Sequence, residues 1–251
     1  MNLSGKKILI TGATGGIGSA VAQKLAASGA QIVITGRNIS RLQSIFINLE
    51  GKGHAWIAAD LSDISCIKDV IAQAANGDGL WGLVHCAGGG SITPLTALSA
   101  NVLAQHMQIN FYAFIELVRQ MTKRKNLDPD GGSNVGISSF AAMEGERGQT
   151  AYAASKAAMD AAVRTLSQEL VLKKVRINSI RPGMVQSEAT DQYLCDMGKE
   201  RFDMLVSKQL FGLGKPEYVA ELCLFIEREW TIYDWTQYIF RWWTIFIKIM
   251  E

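Results

Sequence analysis

The chain has 251 residues, a net charge of +2 and a hydrophobic fraction of 48%. That length suits one large α/β domain as well as two small ones, and the apolar share can bury a sizeable core. So small a charge gives no footing for nucleic acid as a partner, and no run of about 18 uninterrupted apolar residues offers a membrane span. Four cysteines, at 66, 86, 195 and 223, are scattered without Cys-x-x-Cys or His–Cys grouping, which fits a reducing compartment and no structural metal. The apolar run near the N-terminus ends at Gly12, too short for a signal peptide, so a cytoplasmic protein is expected.

Lys7 to Thr11 is a short apolar strand, followed by Thr11-Gly-Ala-Thr-Gly-Gly-Ile-Gly18 and then by Ala20, Val21 and Leu25 at helical spacing. Strand, glycine-rich turn and helix together form a phosphate cradle, because glycines admit a pyrophosphate and the helix start offers free N–H groups. The plain alternative is an ordinary tight turn. A second strand, Gln31 to Thr35, ends at Gly36-Arg37 with no carboxylate to hold a ribose 2′-hydroxyl. A guanidinium there suits a 2′-phosphate and favours NADP(H) over NAD(H), set against a surface arginine at a loop.

A helix is expected from Ser40 to Glu50, a third strand from His54 to Ala59 ending in Asp60, and a helix from Ile64 to Ala75 capped by Ser62 or Asp63. The fourth strand, Leu80 to His85, runs into Cys86-Ala-Gly-Gly-Gly90. His85 and Cys86 read as strand-end packing residues before a nucleophilic pair, since adjacent strand residues point to opposite faces. One or two helices span Asn101 to Lys125, with Asn110 a candidate buried amide. Asn134 to Ser139 is a strand, and Val175 to Ile180 another, leading to Arg181-Pro-Gly. Residues 188–212 mix methionines with charges and read as a mobile flap. Pro216 to Glu227 is a helix with proline near its first turn.

Between the last two of these strands, an Ala-rich helix is expected from about residue 150 to Leu172. Tyr152 and Lys156, four apart, share its face with Met159, Val163, Leu166 and Leu170, so both point towards the core or a cleft beside it. An ammonium one turn away is expected to lower the phenol's pKa, and Ser139 can reach the same cleft. A hydroxyl, an activated phenol and a lysine fit proton exchange with an alcohol or carbonyl oxygen. The bland reading is a half-buried tyrosine with a snorkelling lysine.

Six alternations of strand and helix predict an α/β fold with a doubly wound parallel sheet and helices on both faces. Gly12, Arg37, Asp60, Gly88, Ser139 and Pro182 all follow strand ends and therefore converge on one rim, where such folds bind ligands.

Thr11-Gly12-x-x-x-Gly16-x-Gly18, Asp60, Ala87-Gly88, Asn110, Ser139, Tyr152-x-x-x-Lys156 and Asn178-x-x-x-Pro182-Gly183 stand in the order and spacing of the classical short-chain dehydrogenase/reductases, which residues 4–228 resemble. The turn also fits the Gly12-x-x-Gly15-x-x-Gly18 form of the extended branch, but chain length and the position of Ser139 favour the classical one. The resemblance implies a single Rossmann-type domain over 1–229 that moves hydride between NADP(H) and a carbonyl or secondary alcohol of a small molecule. It implies Tyr152 as general acid/base, Lys156 lowering its pKa and holding the nicotinamide ribose, Ser139 on the substrate oxygen, and Asn110 supporting a water-linked relay. It places Gly12, Thr14, Gly16, Ile17, Gly18, Arg37, Asp60, Leu61, Ala87, Gly88, Pro182 and Gly183 around the cofactor, and makes 188–212 the substrate loop. A homodimer or homotetramer is implied, with Ala153, Ala154, Ala157, Ala158, Ala161 and Ala162 allowing close approach of the Tyr152 helix.

The sequence departs from that pattern in three places. His85-Cys86 replaces Asn-Asn and removes an amide that braces the cofactor loop. Ser187 replaces the threonine after Pro-Gly. In the tail 230–251, Trp235 to Trp243 stands where a closing strand and Asp-Gly-Gly turn belong, and tryptophan does not take a positive φ cheaply. That tail reads as strand or oligomer packing ahead of an interfacial membrane helix. A rival reading, motivated by the tail and by His85-Cys86, is a catalytically silent NADP-binding regulatory or scaffold protein of the same fold.

Overall fold

The computed structural model describes residues 2–209 and 211–227, with the backbone of the strand Gln237–Phe240. Seven parallel strands form one sheet: β1 (Lys7–Thr11), β2 (Gln31–Gly36), β3 (Ala55–Ala58), β4 (Gly82–His85), β5 (Gly132–Ile137), β6 (Val175–Pro182) and β7 (Gln237–Phe240), in the order β3-β2-β1-β4-β5-β6-β7. The order reverses at β1, which pairs with β2 on one side and β4 on the other. There the connections leave in opposite directions and open a crevice at the carboxyl ends.

Alternation along the strands divides the core. Ile8, Ile10, Ile32 and Ile34 face α1 (Gly16–Ala27), α2 (Ile39–Phe46) and, beyond α1, α9 (Pro216–Glu227). Leu9, Val33, Leu83 and Ile177 face α3 (Ile67–Ala75), α5 (Ala113–Met121) and α6 (Thr150–Leu170). Each fully buried aliphatic side chain contributes roughly 1.5–3 kcal/mol, so the two layers hold the sheet from both faces.

The expected elements are all present, with shifted ends. The helix placed at 40–50 is the shorter α2, started by Asn38, whose side chain accepts the Arg41 N–H. Asp63, and not Ser62, caps the turn before α3 by accepting the Ser65 N–H at 3.0 Å. Residues 101–125 are α4 (Ala100–Met107) and α5, joined without a break by a π-helical turn over Gln108–Tyr112. The α6 helix stops at Leu170 and closes in a 3-10 turn over Val171–Lys173.

The segment read as a flap, 188–212, is largely helical. It contains α7 (Glu188–Met197), capped by Ser187, and α8 (Lys199–Ser207). Of the tail, the strand β7 pairs with β6 from Ser179↔Gln237 to Pro182↔Phe240, the place expected for a closing strand. The aromatic turn read after it lies outside the described residues. No described helix is long and apolar enough to cross a membrane.

Candidate active site

The carboxyl ends of the strands open onto a cleft of about 1220 Å³. Every site residue singled out in the sequence lines it except Asn110, which lies fully buried behind it.

The nucleotide end is built on the turn after β1. Gly12 has φ +64°, and a Cβ there would lie 2.5 Å from the backbone nitrogen of Ala87, so only glycine lets the two loops meet. The α1 helix starts at Gly16 with Gly15 as its N-cap and no side-chain cap, leaving first-turn N–H groups for an anion. These features, on a cleft reaching from Arg37 to Tyr152, fit a dinucleotide. Arg37 is exposed at the end of β2, and Arg41, a turn further on, pairs with Glu188 at 2.8 Å. Asp60 accepts the Ser62 N–H at 3.0 Å and the Ser62 hydroxyl at 2.8 Å, which holds its carboxyl below the usual range.

His85 takes over the missing amide's work. Its Nδ1 meets Thr11 Oγ1 at 2.9 Å, and that oxygen accepts the Ala87 N–H at 3.2 Å. Burial, with the Lys156 charge nearby, pushes the imidazole down to about 3, so it stays neutral as a brace. Burial pushes the Cys86 thiol up to about 12, the opposite of what a nucleophile needs.

At the other end, Ser139 closes β5 and accepts the Ala141 N–H at 3.1 Å, which fixes its side chain at the cleft wall. Tyr152 and Lys156 face the same cleft from the first turns of α6. The ammonium lies 5.9 Å from the Tyr152 ring centre and donates to the Ile137 carbonyl at 2.7 Å. The expected lowering of the phenol is not what this arrangement produces. Burial pushes Tyr152 above its ordinary value, and the Ser139 hydroxyl only draws it partly back. Burial also brings Lys156 down to about 8, against the pull of Cys86 and Asp160, so its charge is costly to keep in place.

Asn110 sits in the π turn. Its amide donates to Gly89 O at 3.1 Å and Ser155 Oγ at 3.0 Å, and its carbonyl accepts the Gly89 N–H at 3.1 Å. The side chain is thus committed to holding the 88–90 loop beside Lys156.

Helices α4, α7 and α8 bring residues that the sequence does not single out. Tyr193 of α7 and His106 of α4 line the cleft beside Tyr152, and the His106 and Tyr152 ring centres are 6.3 Å apart, edge to face. Arg201 of α8 ties the lid to the loop before α6 by bonding Glu146 at 2.6 Å and Arg147 O at 2.8 Å. The signals were there: Arg41 lies four residues after Arg37, and Ser187-Glu-Ala-Thr-Asp is a helix start with acidic residues in its first turn. Among the described residues no three His, Cys, Asp or Glu are grouped to hold a metal.

The sequence profile described as short chain dehydrogenase matches residues 6–197. The chain is 30% identical over 234 residues to a 3-oxoacyl-[acyl-carrier-protein] reductase of Rickettsia conorii, covering 93% of each chain. It is similar to a crystal structure of a short chain dehydrogenase from Burkholderia cenocepacia in complex with NADP, with TM-score 0.87 and 27% identity over 96% of this chain and 98% of that one. A 3-oxoacyl (acyl-carrier-protein) reductase from Agrobacterium tumefaciens with NADP bound matches at TM-score 0.79 and 26% identity, covering 91% and 89%.

Proposed function

Because the chain belongs to the short-chain dehydrogenase family, we infer that its cleft is the working site of an NADP-dependent oxidoreductase that interconverts a carbonyl and an alcohol. The observation that carries this reading is the convergence of Ser139, Tyr152 and Lys156 on the cleft that begins at Gly12. The bound relatives extend the reading to NADP, and nothing in them favours a silent scaffold.

When bound, NADP(H) supplies or takes up the hydride. The uncapped start of α1 and the Gly12 turn would receive the pyrophosphate, Arg37 would answer the 2′-phosphate, and Asp60 and Leu61 would flank the adenine side. Ala87, Gly88, Pro182 and Gly183 would border the nicotinamide side. Ser139 holds the substrate oxygen by its hydroxyl. The Tyr152 phenol, which burial keeps protonated through neutral pH, gives its proton to that oxygen in reduction and recovers it in oxidation. Lys156 supports the phenolate that forms, from its seat on Ile137 O. Asn110 holds the Gly89 loop in register with both.

We assign residues 1–229 to the Rossmann-type domain, with the tail 230–251 lending β7 to its edge. Ala154 and Ala161 lie exposed on α6 beside half-buried Ala157 and Ala158, a small-residue face on which two copies can meet as a homodimer or homotetramer. The four free thiols fit a cytoplasmic setting.

The test is NADPH consumption over ketones, quinones and 3-oxoacyl thioesters by the wild type and Tyr152→Phe, with nucleotide binding measured in parallel. Loss of turnover with binding kept supports the mechanism. A phenylalanine variant that keeps most of its activity overturns it, and silence across the panel with tight NADP binding returns the scaffold reading.

A further inference from the structure

The stretch between β6 and α7 forms one long wall of the cleft, lined by Pro182 to Val185 and by Ser187. It leaves the end of β6 and finishes against the phosphate turn, where a Cβ built on Gly16 would lie 3.3 Å from Cβ of Ser187. Its backbone pairing is short. Val185 forms an isolated bridge with Gly214, the Met184 carbonyl accepts the Gly214 N–H at 2.9 Å, and the Gly214 carbonyl accepts the Gln186 N–H at 2.8 Å. The Met184 N–H goes instead to a side chain.

That side chain is Gln209, two residues past α8 and only 6% exposed. Its Oε1 accepts the Met184 N–H at 2.6 Å, while its Nε2 donates to Met184 O at 3.1 Å and to Gly212 O at 2.7 Å. Both amide hydrogens and the amide oxygen are used. A flipped amide would set Nε2 against the Met184 N–H, donor to donor, so the network fixes its orientation. The main chain of Gln209 is anchored in turn: its N–H bonds Val206 O and its carbonyl accepts the Gly212 N–H, both at 2.9 Å. An amide that pairs with both backbone groups of one residue works as a detached rung of β-ladder. It clamps the Met184 peptide from a different part of the chain.

We propose that Gln209 is a positioning residue for the dinucleotide: by clamping Met184 it holds the wall from Pro182 to Ser187 in its binding-ready course before the cofactor arrives. The proposal rests on the reading of the cleft as an NADP site and adds a residue to it. The physical reason is the cost of ordering. A wall left free to move has to be fixed when the nucleotide binds, and that entropy is subtracted from the affinity. The wall ends at Gly16 and does not reach Arg37, so the clamp acts on the part of the cofactor that NADPH and NADH share.

The experiment compares the wild type with Gln209→Met, which keeps the side chain's length and removes its three hydrogen bonds. Hydrogen exchange is measured on the nucleotide-free protein, with fluorescence titrations of NADPH and NADH and a thermal melt. The Met184 amide should exchange about tenfold or more faster in the variant, with β5 and α6 unchanged. Kd should rise by the same factor for both nucleotides, about three- to tenfold. Unchanged exchange at Met184 overturns the clamp. A lower melting temperature with faster exchange across the whole sheet also overturns it, since that is the mark of a merely structural amide. A rise in Kd confined to NADPH overturns the positioning role, because it assigns the effect to the 2′-phosphate. Wild-type binding that the variant leaves intact sinks the proposal alone, whereas a wild type that binds neither nucleotide sinks the cofactor reading with it. Should the methionine variant not fold, Gln209→Asn, which keeps the amide and shortens its reach, is judged by the same measurements.

Discussion

The Lys156 ammonium sits between the Tyr152 ring, 5.9 Å from its centre, and the Ile137 carbonyl, to which it donates at 2.7 Å. Its position is set by the end of β5, so the phenol and the ammonium keep their spacing even when the phenol is neutral. The pair is therefore arranged to stabilise phenolate as it forms, rather than to hold one beforehand.

With Lys156 brought down to about 8, the ammonium is the main form at neutral pH and is lost as pH rises through that value. In the free enzyme, kcat/KM for carbonyl reduction should fall on the alkaline side with a limb near pH 8. Lys156→Gln should show low activity without that limb. A pH–rate profile of both proteins checks this; a limb that persists in the glutamine variant assigns it elsewhere.

Arg37 is exposed and stands on the cleft where β2 ends. Arg37→Ala should raise KM for NADPH by about tenfold or more and leave KM for NADH nearly unchanged, since only one of them carries the phosphate. Cofactor kinetics on a single substrate decide it, and an equal rise for both would place Arg37 outside phosphate recognition.

Glu227, fully buried at the end of α9, is pushed up to about 8 by burial, against the pull of Arg176 and Ser133. The folded state then holds a proton that the unfolded chain releases above about 4.5. Stability from this group is full below that pH and is lost as pH rises through about 8, by on the order of 4 kcal/mol in total. Glu227→Gln should match the wild type near pH 5 and melt higher at pH 8.5. Parallel melts across that range would show the gap opening, and a constant difference would refute it.

Arg181 and Asp160 form an ion pair of 2.6 Å with side chains 8% and 3% exposed. Asp160→Asn removes the carboxylate charge bonded to Arg181 Nε and should destabilise the fold by about 1–3 kcal/mol. Replacing both with methionine and leucine should cost less than that single change. Denaturant melts of the three proteins give the comparison.

The strands and their order of use were legible because parallel strands buried on both faces are continuous apolar runs between glycine-rich turns. The rim residues followed, since a strand end is visible in sequence and its neighbours across the sheet are fixed by topology. The imidazole brace was not, because Thr11 and His85 meet only when β1 and β4 pair. Nor was the π turn at Asn110, which depends on an extra residue in a helix whose composition gives no sign of it. The two helices of 188–212 were not legible because charges break the apolar stripe, although the serine that caps α7 stands in the sequence. The direction of the Tyr152 shift was missed for a different reason: spacing reports which groups are near, and burial decides how much their charges cost.

The placement of β1 has a kinetic consequence. Its partner Gly82 lies far along the chain from Ile8, and no two adjacent strands of this sheet are joined by a hairpin. Refolding cannot nucleate on a local turn and must first close long loops, so recovery from denaturant belongs with slow, non-local folders, where collapsed intermediates expose unpaired strand edges.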